Sequence, residues 1–107
     1  MSAHSRIDIA AAFCMSFAAL APGAAVAACP EDLAANDVRF KQTIERLESV
    51  KNGTQAQKCE AYRPHVRIME QGREVFQRCN TGVTQRENVG QMNDSIEDFK
   101  ELIKRSC

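Results

Sequence analysis

The sequence lacks tryptophan, contains a single tyrosine and has only 6% aromatic residues, with no excess of charge of either sign. Its 107 residues include 14 Lys and Arg against 14 Asp and Glu. A balanced chain has no extended basic field to attract nucleic acid or anionic lipid, and so few aromatic rings leave little material for stacking bases. We therefore expect no nucleic-acid partner, and the length fits one small domain.

Groups that carry catalysis are also scarce. The sequence has two histidines, His4 and His65, and none of its five cysteines is spaced as a CxxC pair. It shows no Ser/His/Asp or Cys/His set and no glycine-rich loop that would hold a phosphate. The cysteine spacing is not that of a zinc or redox site. We expect a protein that is not an enzyme and that needs no cofactor.

The longest uncharged apolar run lies near the N-terminus, at Ile9–Leu20. It is too short to cross a bilayer, which takes about 20 apolar residues. Arg6 precedes the run and the small residues Ala25–Ala27 follow it, which is typical of a secretory signal with its cleavage site. The sequence predicts a cleaved signal peptide over 1–27 and an exported domain over 28–107 without a membrane span.

Cleavage removes Cys14 and leaves four cysteines, an even number that indicates disulfides in an exported chain. A second interpretation uses the same junction, because Val26–Cys29 also fits a bacterial lipoprotein box in which Cys29 carries the lipid. Three cysteines would then remain and could not all pair. The first interpretation predicts a periplasmic or extracellular protein, and the alternative predicts one that is lipid-anchored through Cys29.

Apolar residues recur every three or four positions through most of the exported part, which is the period of an α-helix. Capping boxes at Thr54–Gln57 and Thr84–Glu87 predict where the second and third helices begin. Short turns at Asn52-Gly53 and Thr81-Gly82 require consecutive helices to be antiparallel. No segment alternates for long enough to be a strand. The sequence therefore predicts an all-α fold, an antiparallel up-down-up three-helix bundle.

This topology also predicts the disulfides. Cys29 and Cys79 lie equally far from the first turn, and Cys59 and Cys107 lie equally far from the second, to within a residue. A bond between Cys59 and Cys79 would join points about 30 Å apart along one helix, whereas a disulfide needs Cα atoms within about 7 Å. The predicted bonds are Cys29–Cys79 and Cys59–Cys107. Each closes a loop of about 50 residues, which is worth about 4 kcal/mol in the chain-entropy model.

Residues that are equally far from a turn should lie at the same height along the bundle. This comparison predicts a central core layer of Phe40, Val66 and Phe99. Gly72 and Gly90 are costly in helices, and we expect them to allow a close approach or to accommodate a ring. Pro64 lies inside the second helix, where it should kink the helix or split it in two.

One group of side chains near Pro64 is a candidate binding patch, comprising Tyr62, Arg63, His65 and Arg67. The two arginines lie one turn apart without an obvious acidic partner, so the patch could bind an anionic group or a protein. We therefore favour a non-catalytic binding or structural protein that acts through a helix face on an unidentified protein partner.

The alternative hypothesis is a carrier of a metal ion or small ligand. His65 and Met69 are four residues apart, and with Met92 they supply the soft donors that copper prefers. A gap between helices could serve a small ligand instead. A lone histidine is more often a surface residue, however, and both methionines fit apolar stripes, so we predict no metal site.

Overall fold

The structure, a computed structural model, describes residues 28–107, so the predicted signal peptide lies outside the described residues. The described chain forms three helices and no strand: α1 (Cys29–Val50), α2 (Gln55–Cys79) and α3 (Gly82–Ser106). This confirms the predicted three-helix all-α fold. The middle helix, α2, packs against both neighbours, whereas α1 and α3 have almost no close contact with each other. None of these three helices is long and apolar enough to cross a bilayer.

The beginnings of α1 and α2 follow from their sequences. Pro30 lies in the first turn of α1, where its missing N–H removes no hydrogen bond from the helix. The predicted capping box of α2 is confirmed, because the Thr54 hydroxyl accepts from the Gln57 backbone N–H (3.2 Å). In return, the Gln57 side-chain oxygen accepts from the Thr54 backbone N–H (2.9 Å). The helix continues through Pro64 without interruption, so Pro64 does not split it.

The predicted beginning of α3 is wrong. The helix begins at Gly82, after Thr81, whose side chain makes no capping hydrogen bond. Gly82 has a φ of 58°, a left-handed conformation that glycine adopts without a steric cost. The chain therefore turns immediately after α2, and Thr84–Glu87 falls within the first turns of the helix instead of capping it. The side chain of Gln85 donates to the backbone oxygen of Gln77 (2.6 Å), tying this turn to the end of α2.

Both predicted disulfides are present, one at each end of the molecule. Cys29 and Cys79 join α1 to α2 with Cα atoms 5.3 Å apart, and Cys59 and Cys107 join α2 to α3 with Cα atoms 5.9 Å apart. The Cys29 sulfur is used in its bond to Cys79, which leaves no thiol there for a lipid. The disulfide therefore favours the interpretation without a lipid anchor.

Polar contacts at steps of seven residues connect α1 to α2, and we call this row the polar seam. Its members are Cys29, Asn36 and Thr43 on α1 and Cys79, Gly72 and His65 on α2. After the disulfide, the Asn36 amide donates to the Gly72 backbone oxygen (3.3 Å), and the Thr43 hydroxyl pairs with His65 Nδ1 (2.9 Å). Seven residues are two turns, so the contacts recur on one face of each helix and fix the register.

The interface of α2 with α3 is apolar by contrast. Its buried cluster comprises Val66, Met69 and Ile96, with Met92, Phe99 and Ile103 packed against it. The predicted placement of Val66 with Phe99 is confirmed, but Phe40 does not belong to this layer. The Phe40 ring lies over Gly72 instead, with its centroid 5.9 Å from that of Phe76.

The two helical glycines differ in their surroundings. A Cβ added to Gly72 would collide with the Phe40 ring, so this glycine accommodates the ring as expected. A Cβ added to Gly90 would meet no atom within 4 Å. The expectation that Gly90 permits a close approach is therefore wrong, because the described chain leaves open space where its Cβ would lie.

Candidate ligand-binding cleft

The separation of α1 from α3 leaves a cleft of about 230 Å³, with α2 as its floor. All three helices contribute to its lining, which comprises Phe40, Thr43, Ile44, Leu47, His65, Met69, Met92, Ser95 and Phe99. Six of these side chains are apolar and none carries a full charge at neutral pH. The cleft is therefore suited to a neutral, mainly apolar group.

The polar seam explains why the cleft is apolar. Asn36 and Thr43 turn towards α2 and are buried, with 1% and 7% of their surfaces exposed. This rotation carries the apolar stripe of α1 away from the centre of the α1/α2 interface and onto the wall of the cleft. Ile44 is consequently 53% exposed although it lies on that stripe. The described chain has no element that covers it.

His65 is the most constrained polar group in the cleft. Its side chain is 6% exposed, its Nδ1 pairs with the Thr43 hydroxyl, and its ring centroid lies 4.5 Å from that of Phe99. Burial lowers the pKa of His65 from its ordinary value of 6.5, because it disfavours the charged imidazolium. The ring is therefore held neutral and in a fixed orientation at neutral pH.

The second ring nitrogen of His65, Nε2, belongs to a side chain that lines the cleft. Within residues 28–107, Nε2 has no hydrogen-bond partner. It is not one of the fully enclosed polar atoms that lack a partner in this part of the chain, which are Asn36 Oδ1 and Arg39 Nε. Nε2 therefore keeps some access to solvent, and a molecule that fills the cleft and displaces this solvent is favoured when it supplies a hydrogen-bond partner.

The structure brings His65, Met69 and Met92 into one cleft but not into one coordination shell. His65 lies level with Phe99, and Met92 precedes Phe99 by seven residues, or about 10 Å along α3. Metal–ligand bonds are only about 2 to 2.5 Å long, so the register disfavours a single ion held by all three side chains. Residues 28–107 also contain no group of three or more His, Cys, Asp or Glu placed to hold a metal.

The predicted patch of Tyr62, Arg63, His65 and Arg67 is divided between two faces of α2. Tyr62 and His65 turn towards α3, where both contact Phe99, the tyrosine ring at a centroid distance of 5.8 Å. Arg63 and Arg67 are exposed, and neither forms an ion pair within the described chain. The two arginines together remain a candidate surface for an anionic group, separate from the cleft.

Sequence reasoning did not identify several residues of the cleft, notably Thr43, Ile44, Leu47 and Ser95. The sequence did contain a sign that Thr43 faces α2. Cys29, Asn36 and Thr43 are spaced by seven residues, which places two polar residues on the helix face of a disulfide cysteine. A second groove was also missed, on the other side of the polar seam, where Arg39 and Arg46 share a face of α1.

Comparison of the chain with models of protein families, with curated proteins and with solved structures finds no match.

Proposed function

We propose that this chain is a small, exported, non-catalytic binding protein that carries a small apolar ligand in the cleft between α1 and α3. The observation that carries the proposal is the cleft itself, with a half-exposed Ile44 on its rim and an unpartnered nitrogen of a buried histidine inside it. Pockets that combine an apolar lining with few polar groups are the usual form of small-molecule sites.

The disulfides support export and also a rigid cleft. Both bonds join α2 to a neighbour, so the two walls are fixed to the floor at opposite ends of the molecule. Disulfides form and persist in oxidising compartments such as the periplasm and the extracellular space. A cleft held open in this way needs little reorganisation to admit a ligand, which lowers the cost of binding.

A non-catalytic role is supported by the chemistry of the cleft. The lining offers one histidine and the hydroxyls of Thr43 and Ser95, and the Thr43 hydroxyl is already paired with His65. A nucleophile oriented by a general base and a third group, which covalent catalysis requires, is not assembled among these residues. Binding without turnover is the simplest activity that they support.

The second candidate function is recognition of a protein partner. A helix laid antiparallel to α1 and α3 would complete a four-helix bundle over α2, and it would cover Ile44. The exposed Arg63 and Arg67 offer another surface for the same function. Loss of partner capture on changing both arginines to Ser, with thermal stability unchanged, would favour this candidate.

The proposal is tested by titrating the oxidised protein with 1-aminonaphthalene, a neutral two-ring dye whose fluorescence depends on the polarity of its surroundings. We expect saturable binding with one site per chain. Ile44→Glu should weaken binding about tenfold or more, because it places a charge at an apolar site. Val38→Glu is the matched control, since Val38 is equally exposed on α1 (52%) but lies outside the cleft.

The control variant should bind the dye as the unchanged protein does. Absence of saturable binding, or an equal loss in both variants, would contradict the proposed function. Circular dichroism of both variants checks that the helices are retained.

A further inference from the structure

We propose that the ligand of the cleft is a neutral molecule with a flat apolar body of about ten non-hydrogen atoms and a hydroxyl group that bonds to Nε2 of His65. This inference rests on the proposed function and specifies the chemical class of the ligand. It is carried by the size of the cleft, by the absence of full charges from its lining, and by the unpartnered nitrogen of a buried ring.

The volume of the cleft indicates the size of the apolar body that it can enclose. An engineered apolar cavity of about 150 Å³ binds benzene, so a cleft of about 230 Å³ has room for a two-ring system. The rings of Phe40 and Phe99 both contribute to the lining. Aromatic faces favour a planar guest, because stacked or edge-to-face ring pairs add to the free energy of area burial.

The lining argues against a charged ligand. None of the nine lining side chains carries a full charge at neutral pH, and the nearest cationic candidate, His65, is kept neutral by its burial. Transfer of an unpaired carboxylate or ammonium into such a site carries a large desolvation cost. A neutral polar group avoids that cost.

A hydroxyl group fits His65 in either of its neutral forms. The bond between Thr43 Oγ1 and Nδ1 is compatible with a proton on either ring nitrogen. Nε2 is therefore an acceptor in one form and a donor in the other, and a hydroxyl can donate or accept as required. The contact with Phe99 holds the ring in place, so the direction of this bond is set before the ligand arrives.

The test compares 2-naphthol with 2-methylnaphthalene, which has a methyl group where the naphthol has its hydroxyl. With the oxidised full exported chain, we expect 2-naphthol to bind about tenfold more tightly, since it satisfies a buried group that the methyl compound leaves unpaired. In the His65→Leu variant, the two compounds should bind with about equal affinity. Gln71→Leu, on the exposed face of α2 outside the lining, is the control and should keep the preference.

A measurement on the unchanged protein covers the case in which His65→Leu does not fold. The ¹⁵N chemical shift of His65 Nε2 should move several times further on addition of 2-naphthol than on addition of 2-methylnaphthalene, because only the naphthol forms a hydrogen bond to it. Equal affinities of the two compounds, with equal movement of Nε2, would overturn the inference.

The dye titration separates this failure from failure of the proposed function. If 1-aminonaphthalene binds and 2-naphthol and 2-methylnaphthalene bind equally, the cleft is a binding site without the proposed hydroxyl contact. If the dye and both compounds fail to bind, the proposed function and the inference fall together.

Discussion

The two interfaces of α2 are built from different interactions. Its contact with α3 buries Val66, Met69 and Ile96 in an apolar cluster, whereas its contact with α1 contains a row of buried polar groups that ends in a disulfide, with the Phe40 ring packed over Gly72 beside that row. Apolar contact is proportional to buried area and is not directional, but hydrogen bonds require specific partners at specific positions. The comparison indicates that α3 is held by apolar burial and that α1 is held by hydrogen bonds together with the packing of Phe40.

This difference determines where the apolar surface of α1 goes. If α1 had turned its apolar stripe towards α2, Ile44 would lie in the core. The seam instead directs Asn36 and Thr43 inward, and the stripe forms a wall of the cleft. Burial of polar groups at these two positions is therefore the structural reason that the molecule has a ligand-sized cleft.

The largest expected effect that separates the interfaces comes from removing each disulfide in turn. The loops closed are nearly equal, 50 residues for Cys29–Cys79 and 48 for Cys59–Cys107. Replacing either pair with serine should lower the free energy of unfolding by up to about 4 kcal/mol on chain entropy alone. Any further difference in stability between the two variants then comes from the different contacts at the two interfaces.

We expect hydrogen exchange to show that difference. Amides of α1 should exchange faster without Cys29–Cys79, because the seam contacts that remain are two hydrogen bonds and the packing of Phe40. Amides of α3 should be less affected without Cys59–Cys107, since the cluster with Val66 remains. Equal loosening of α1 and α3 in the two variants would show that the interfaces do not differ as we describe.

A smaller effect is expected from the two glycines. Gly72→Ala forces a methyl group against the Phe40 ring at the seam and should destabilise the fold by about 1 to 2 kcal/mol, after the gain in helix propensity. Gly90→Ala adds a methyl group in open space and should stabilise it by about 0.5 to 1 kcal/mol. Urea denaturation measures both changes. Shifts of the same sign would refute the close packing at Gly72.

The sequence was sufficient for the topology and for the disulfide pairing. Both followed from helix lengths and turn positions, which depend on local chemistry at residues such as Thr54 and Gly53. The rotation of α1 about its own axis did not follow, because an apolar stripe is normally assumed to face the core. That assumption misplaced Phe40 and also hid the burial of Asn36 and Thr43.

The candidate site was predictable only in part. His65, Met69 and Met92 were identified as a possible ligand set, and all three line the cleft. Their separation along the helices depends on the interhelical register, which the sequence pattern did not give at the precision that a metal site requires. Arg63 and Arg67 are exposed, as expected for charged residues on a solvated helix face. The burial of His65 could not be predicted, because it depends on the contact with Thr43 on another helix.

The smallest expected effect concerns the charge state of His65 at the seam. Burial lowers its pKa from 6.5, so the unfolded chain takes up a proton before the folded one as the pH falls. Stability contributed by the neutral ring is complete above pH 6.5 and decreases as the pH drops from 6.5 towards the lower folded pKa. Chemical denaturation at pH values from 7.5 to about 5.5 should show this decrease.

His65→Gln is the control for this titration, because it removes the ionisable ring and keeps a polar group beside Thr43. The decrease in stability over the same pH interval should be smaller in this variant. An unchanged decrease would assign the pH dependence to other groups, and the seam would then have no part in it.

The most direct test of the account is methyl NMR of the oxidised protein during addition of 2-naphthol, because the cleft contains methyl groups on each helix. We predict that the methyl signals of Ile44, Met69 and Met92 shift together and saturate, while those of Val38 and Val83, which are exposed elsewhere, stay in place. Signals of Val38 and Val83 that move as much as those of the cleft, or cleft signals that do not move, would contradict a ligand site between α1 and α3.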